Sequence, residues 1–246
     1  MKKRLASTVV ALVSGAVACA PGADPGSRVV AGQEALAIAA DNAQFVAAGS
    51  PGNPKTISVS FFVGDVGPVA NGSAHWTNGT SNDTDPFSVE IDVPEGGTPA
   101  NGNSSFAGIN FHHVPPVAPA NSPSFDFKAD RSGASGGSPR LVILFDDGGN
   151  INLRPLTWVQ DTWTSEGPGP APDPLAATNW DNSGGACGFL YEMTYQTVKA
   201  CHAGAAVTAA FIVSDSGWLN APYKNWIDNI QYDGKAISQP SDNSNN

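Results

Sequence analysis

The sequence predicts an all-β chain, a jelly-roll-type β-sandwich with one short helix, and three observations point there. Only 14% of the residues are charged, while Gly (27) and Pro (20) are abundant. Solubility therefore rests on Asn, Ser, Thr and Asp, a composition that suits strands and turns better than helices. Next, the apolar run Leu141 to Phe145 lies between Gly136-Gly-Ser-Pro-Arg140 and the turn Asp146-Asp-Gly-Gly149. A short apolar run bounded by turn signals reads as a strand buried on both faces, in the middle of a sheet with layers on either side. Finally, Phe87, Val89, Ile91 and Val93 alternate with Ser88, Glu90 and Asp92, and Phe125 and Phe127 alternate with Asp126 and Lys128. That is the pattern of strands with one face in water.

In chain order, residues 1–18 read as a signal peptide: a basic Met-Lys-Lys-Arg start, an apolar stretch from Leu5 to Val17, and Ala16-Val17-Ala18 as the cleavage pattern. The apolar stretch is too short to span a bilayer stably. Residues 19–40 read as a tether, with Glu34 to Ala40 either a short helix or the end of that tether. A single sandwich domain is predicted over 41–237. Its strands are expected at Thr56–Val63, His75–Thr77, Pro86–Val93, Ser105–His113, Ser124–Ala129, Arg140–Phe145, Ile151–Leu156, Ala206–Ser214 and Trp226–Tyr232. Glu166 to Leu175, with four prolines, can form no ladder and reads as a surface loop. From Gly188 to Ala203, the near-helical spacing of Leu190, Met193, Tyr195 and Val198 predicts the one helix, ending at Gly204. The polar tail 238–246 is predicted to be disordered.

Charge and cysteines narrow the setting. The formal net charge of −10 falls to −13 once Lys2, Lys3 and Arg4 leave with the signal. That argues against nucleic acid and anionic membrane surfaces as partners. Cys187 and Cys201 can pair as a disulfide, which suits an oxidising extracellular or cell-envelope location. Cleavage after Ala18 would expose Cys19, which is then either a lipidation site or a loose thiol, and a lipid there would be the chain's one tie to a membrane. Ala16 replaces the leucine usual in a lipoprotein signal. Cys187 and Cys201 with the adjacent His202 do not complete a tetrahedral zinc set.

Several constellations suggest chemistry. Glu90-Ile-Asp92-Val-Pro-Glu95 matches the E-x-D-x-x-E pattern of laminarinase-like glycoside hydrolases, in which a bulge brings two carboxylates to one face about 5.5 Å apart. Pro94 and Gly96-Gly97 interrupt the strand where that bulge should be, and the plain alternative is an amphipathic strand with an acidic outer face. Gly133-Ala-Ser-Gly-Gly137 matches G-x-S-x-G, but a strand follows where a nucleophile elbow needs a helix, so it reads as a turn. His112 and His113 are adjacent on a strand and point to opposite faces. Trp163 and Trp180 flank the Pro-rich loop beside Asp161, Asn179, Asp181 and Asn182, the composition of a sugar-stacking, hydroxyl-bonding site; the plain alternative is core packing. Asp228 is a candidate ligand for a structural calcium, with Asp130, Asp146 and Asp147 as further oxygen donors; a strand-end hydrogen bond and solvated turns are the alternative.

Gly136-Gly-Ser-Pro-Arg140, Asp215-Ser-Gly-Trp218 and Asp228-Asn-Ile230, in that order, resemble the motifs of a group of uncharacterised secreted bacterial and archaeal β-sandwich proteins. The likeness covers roughly residues 104–234. It implies a jelly-roll fold and an extracellular setting, and it implies no activity. Arg140, one of few cations, is expected to pair with Asp126, Asp130 or Asp228. The favoured function is non-catalytic binding of a carbohydrate or other cell-surface component. A hydrolase using Glu90, Asp92 and Glu95, and a purely structural envelope protein, are the alternatives.

Overall fold

The computed structural model describes residues 57–66, 72–78, 80–82, 87–94, 104–134, 138–167, 179–215 and 222–237. The signal peptide, the tether with Cys19, Glu95, Trp218 and the tail 238–246 lie outside the described residues. Two antiparallel sheets pack face to face. The first has seven strands in the order β1 (Ser58–Val66), β4 (Ser104–His112), β13 (Val207–Asp215), β7 (Arg140–Phe145), β8 (Asn150–Leu153), β11 (Trp180–Ser183) and β12 (Leu190–Met193). The second runs β10 (Thr164–Glu166), β5 (Ser124–Ala129), β14 (Tyr223–Tyr232), β3 (Phe87–Val93) and β2 (Ser73–Asn78), with β15 (Lys235–Ala236) pairing onto β14. A small ribbon joins β6 (Gly133–Ala134) to β9 (Thr157–Trp158). No helix of the described residues is long and apolar enough to cross a membrane.

The alternation foreseen on β5 is observed, and that on β3 holds from Val89 to Val93, whereas Ser88 is buried and Phe87 only half-buried. Val89, Ile91, Val93, Phe125 and Phe127 are buried and meet Ile109, Leu141, Ile143, Ile151 and Ile212 of the other sheet in the main core. The apolar run at Leu141 to Phe145 is also as foreseen: all six residues of β7 are buried, between β13 and β8 in its sheet. Leu141, Ile143 and Phe145 enter the main core. Val142 and Leu144 point the other way, into a second buried cluster with Phe106, Phe211 and Val213. Both late strands insert between earlier ones, β13 between β4 and β7, and β14 between β3 and β5.

The helix is shorter than the sequence suggests. It spans Tyr195–Ala200 and starts at Thr194, whose hydroxyl accepts the Thr197 N–H at 3.3 Å. Leu190–Met193 is instead the edge strand β12. Its register against β11 is irregular and Glu192 has φ 56°, so two residues on β12 face one on its partner. A bulge makes a strand repeat every three residues on one side, which imitates the helical spacing. Cys187 and Cys201 form the expected disulfide, fastening a turn at Gly185–Cys187 to the end of the helix. It closes a loop of 14 residues. Replacing both cysteines by serine is expected to cost about 2–3 kcal/mol on the loop-entropy model, read as a lower urea midpoint at unchanged m. Equal midpoints for the two proteins would show that the crosslink is energetically idle.

Arg140 does not pair with Asp126, Asp130 or Asp228. Its guanidinium donates to Asp215 instead, in an ion pair whose side chains are 7% and 0% exposed. Ser138 ties the same carboxylate: its hydroxyl donates to Asp215 Oδ2 at 3.0 Å and accepts the Asp215 N–H at 2.9 Å. β7 and β13 are neighbours, and the register pairs Arg140 with Val213, within reach of Asp215 at the strand end. Asp126, Asp130 and Asp228 all belong to the other sheet or its margin. The segments Ser138-Pro-Arg140 and Asp215 thus meet in one buried polar node.

Candidate functional site

The outer face of the six-stranded sheet carries a row of polar and aromatic side chains fixed by register. His75 on β2 lies opposite Glu90 on β3, Glu90 opposite Trp226 on β14, and Trp226 opposite Lys128 on β5. Because Thr164 pairs with Phe127, Trp163 falls beside Lys128 and completes the row. Lys128 Nζ lies 4.7 Å from the Trp226 ring centroid and 5.5 Å from that of Trp163, so the two indoles flank its ammonium. Trp226 Nε1 donates to Glu90 Oε2 at 3.1 Å. His75 is exposed and the other four are half-buried, each presenting surface to solvent.

Two further rows border this one. On one side, Asp92 lies opposite Lys224, and the Lys224 N–H donates to Asp130 Oδ1 at 3.0 Å. On the other, Asp228 lies opposite Asp126. Asp228 accepts the backbone N–H of Asn82 at 2.7 Å and that of Asn229 at 2.8 Å. Asp126 Oδ2 accepts the side-chain amides of the same two asparagines, at 2.7 and 2.8 Å.

Glu90 is set as a carboxylate. Burial alone would raise its pKa, but Lys224 Nζ donates to it at 2.7 Å, and with Trp226 and His75 the balance holds it below the usual carboxylate value. The same contact raises the pKa of Lys224. A general acid needs the opposite shift, a carboxyl that keeps its proton near neutrality. Asp92 sits at the far side of Lys224, at 3.8 Å. With Glu95 outside the described residues, the catalytic trio is represented by these two, both in an ion-paired network.

The residues singled out beside the Pro-rich loop are not brought together. Trp180 is fully buried in the main core, 4.9 Å from the Tyr195 ring, and cannot stack on a ligand at the surface. The cause is strand β11, which alternation orients so that Trp180 faces inward opposite Leu153 while Asp181 turns out opposite Asn152. Asp181 is engaged by Arg154 Nε at 2.5 Å and by the Glu192 N–H at 3.0 Å. Asn179 donates to Glu166, and Asp161 is an exposed turn residue with φ 55° whose N–H bonds Ala129 O at 2.8 Å. Only Trp163 of that set belongs to the row. Sequence reasoning passed over Trp226, Lys128, His75 and Lys224. The alternation on β5 had marked Lys128 as outward, but only the pairing of four strands reveals that these residues are neighbours.

The calcium candidates are likewise engaged locally. Asp146 accepts the Ala206 N–H at 2.8 Å and Asp147 holds His202 Nδ1 at 2.8 Å, while Asp130 and Asp228 take the backbone N–H groups named above. Among the described residues, no group of three or more His, Cys, Asp or Glu side chains is placed to hold a metal. His202 Nε2 bonds Asn182 Oδ1 at 2.8 Å and its ring stacks on Phe145 at 4.2 Å, so it plugs one end of the sandwich.

No protein-family model matches the chain. No characterised protein matches it in sequence. Among solved structures it is similar to the family 11 carbohydrate-binding module of the cellulosomal cellulase Lic26A-Cel5E of Clostridium thermocellum, at 12% identity and a TM-score of 0.40, over 76% of this chain and 92% of that one. An exo-β-agarase is similar at 13% identity and a TM-score of 0.36, over 76% of this chain and 24% of that one. A β-1,2-glucanase from Parabacteroides distasonis follows at 14% and 0.32, over 75% and 24%. The chain thus spans about a quarter of the length of these two enzymes.

Proposed function

We propose that this chain is an exported, non-catalytic β-sandwich that binds a carbohydrate of the cell surface or its surroundings through the outer face of the six-stranded sheet. The observation that carries the reading is the row His75, Glu90, Trp226, Lys128 and Trp163. Indole surfaces cover the apolar C–H faces of sugar rings, and charged and imidazole groups beside them hydrogen-bond hydroxyls. The disulfide and the leader-like N-terminus support an oxidising location outside the cytoplasm.

The test is retention of the protein on immobilised glucans, xylan, chitin and agarose. Binding to at least one is expected, and Trp226→Ala should weaken it by about tenfold or more, the scale of a central aromatic anchor. Loss of binding without a change in far-ultraviolet circular dichroism locates the site on this face. A protein that passes through every matrix unretained overturns the reading and leaves a structural envelope role.

A further inference from the structure

We infer, on the basis of the reading just given, that the ligand is an extended, uncharged glycan that lies across the strands of the six-stranded sheet rather than along them. The row is built from one side chain on each of β2, β3, β14 and β5 together with Trp163, which leads into β10. Neighbouring strands lie about 4.8 Å apart, so the five positions span about 19 Å. The two indoles belong to positions two strands apart, roughly 10 Å, about the length of a disaccharide. They can therefore serve alternate sugars of one chain, with Lys128 beneath the sugar between them. Along the strands there is no such run, because Trp226 is followed on its outer face by Lys224 in one direction and Asp228 in the other.

Charge sets the class of sugar. The aromatic row runs between two acidic borders, Asp92 and Asp130 on one side and Asp126 and Asp228 on the other. Of the two lysines on the face, Lys224 is neutralised by Glu90 and Asp92, and Lys128, held between the indoles, sets one positive charge against the four carboxylates of the borders. The whole chain carries −10. A polymer bearing a carboxylate or sulfate on each residue would meet like charge along its length, which strongly disfavours it. A neutral hexose chain meets hydrogen-bond acceptors instead.

The experiment is calorimetric titration of the full chain with neutral gluco- and N-acetylchito-oligosaccharides of one to six residues, alongside polygalacturonate. Affinity is expected to rise at least tenfold from the disaccharide to the tetrasaccharide and then level off, with polygalacturonate unbound. Trp163→Ala should remove the gain from the longer chains, and Trp226→Ala should weaken every length. A monosaccharide held as tightly as the hexasaccharide, or polygalacturonate held as tightly as the neutral chains, overturns the inference while the binding role stands. Retention of no glycan overturns both. The length and charge series needs only the unaltered protein, so it decides the matter even where a tryptophan variant misfolds.

Discussion

Asp215→Ala is expected to destabilise the domain by about 3–5 kcal/mol. Asp215 is wholly buried and Arg140 is 5% exposed, and the aspartate accepts from both the guanidinium and the Ser138 hydroxyl. Removing the carboxylate takes the Asp215 counter-ion from a buried cation, and that loss dominates the cost, because the pair's own attraction is largely offset by the desolvation of both ions. Two controls separate these effects. Asp215→Asn keeps the shape and one acceptor and should cost less than alanine. Changing both partners, Arg140→Met with Asp215→Leu, removes the buried cation as well and should recover much of the loss. Urea unfolding at neutral pH with the m value monitored is the measurement. A loss below about 1 kcal/mol for Asp215→Ala would mean that the node is solvated on the timescale of unfolding and does not anchor β7 to β13.

The second large effect is a dependence on pH centred on Glu166. This residue ends β10 opposite Phe125, its side chain is buried, and it accepts from the Asn179 amide. Burial raises its pKa to about 7, against which the Asn179 hydrogen bond and the charge of Arg154 act only in part. The sign follows from linkage. Below about pH 4.5 both folded and unfolded chains carry the proton and no penalty exists. From there to about 7 the unfolded chain ionises while the folded one does not, so stability falls as pH rises, and it levels off above that. The full loss is on the order of 3 kcal/mol. Asn179 Oδ1, buried without a hydrogen-bond partner, is a natural acceptor for the retained proton. Glu166→Gln offers an amide N–H to the same oxygen. It should flatten the melting temperature between pH 5 and 8 and make the variant the more stable protein at pH 8. Parallel wild-type and variant curves across that range would contradict the assignment.

Alternation was enough to place β3 and β5 and to identify their inward sides, and the apolar run between two turn signals placed β7 as a strand buried on both faces. It failed where elements are short or irregular. β11 has four residues, too few to show a period, so Trp180 read as a loop aromatic when it is a core residue. β12 carries a bulge, and its spacing read as helix. The partner of Arg140 was missed for a different reason: a single strand shows which way a side chain points, and not which strand lies beside it. The same limit hid the aromatic row, whose members are spread from His75 to Trp226 and become neighbours only through the register of four pairings.

The placement of β13 and β14 has a consequence for how the chain acquires its fold. Each is the strand that joins two earlier halves of its sheet: Ile212 bridges Ile109 and Leu141, and Ile227 bridges Val89 and Phe127. Until residues 207–232 are available, neither sheet has its centre and no main core can close. Pairings this distant in sequence slow folding, because loop closure must precede the contacts that reward it. A polypeptide made from its N-terminus therefore stays open until residues 207–232 have emerged. On the export proposed above, that delay would keep the chain open for passage across a membrane, with the sandwich and the Cys187–Cys201 crosslink completed on the far side.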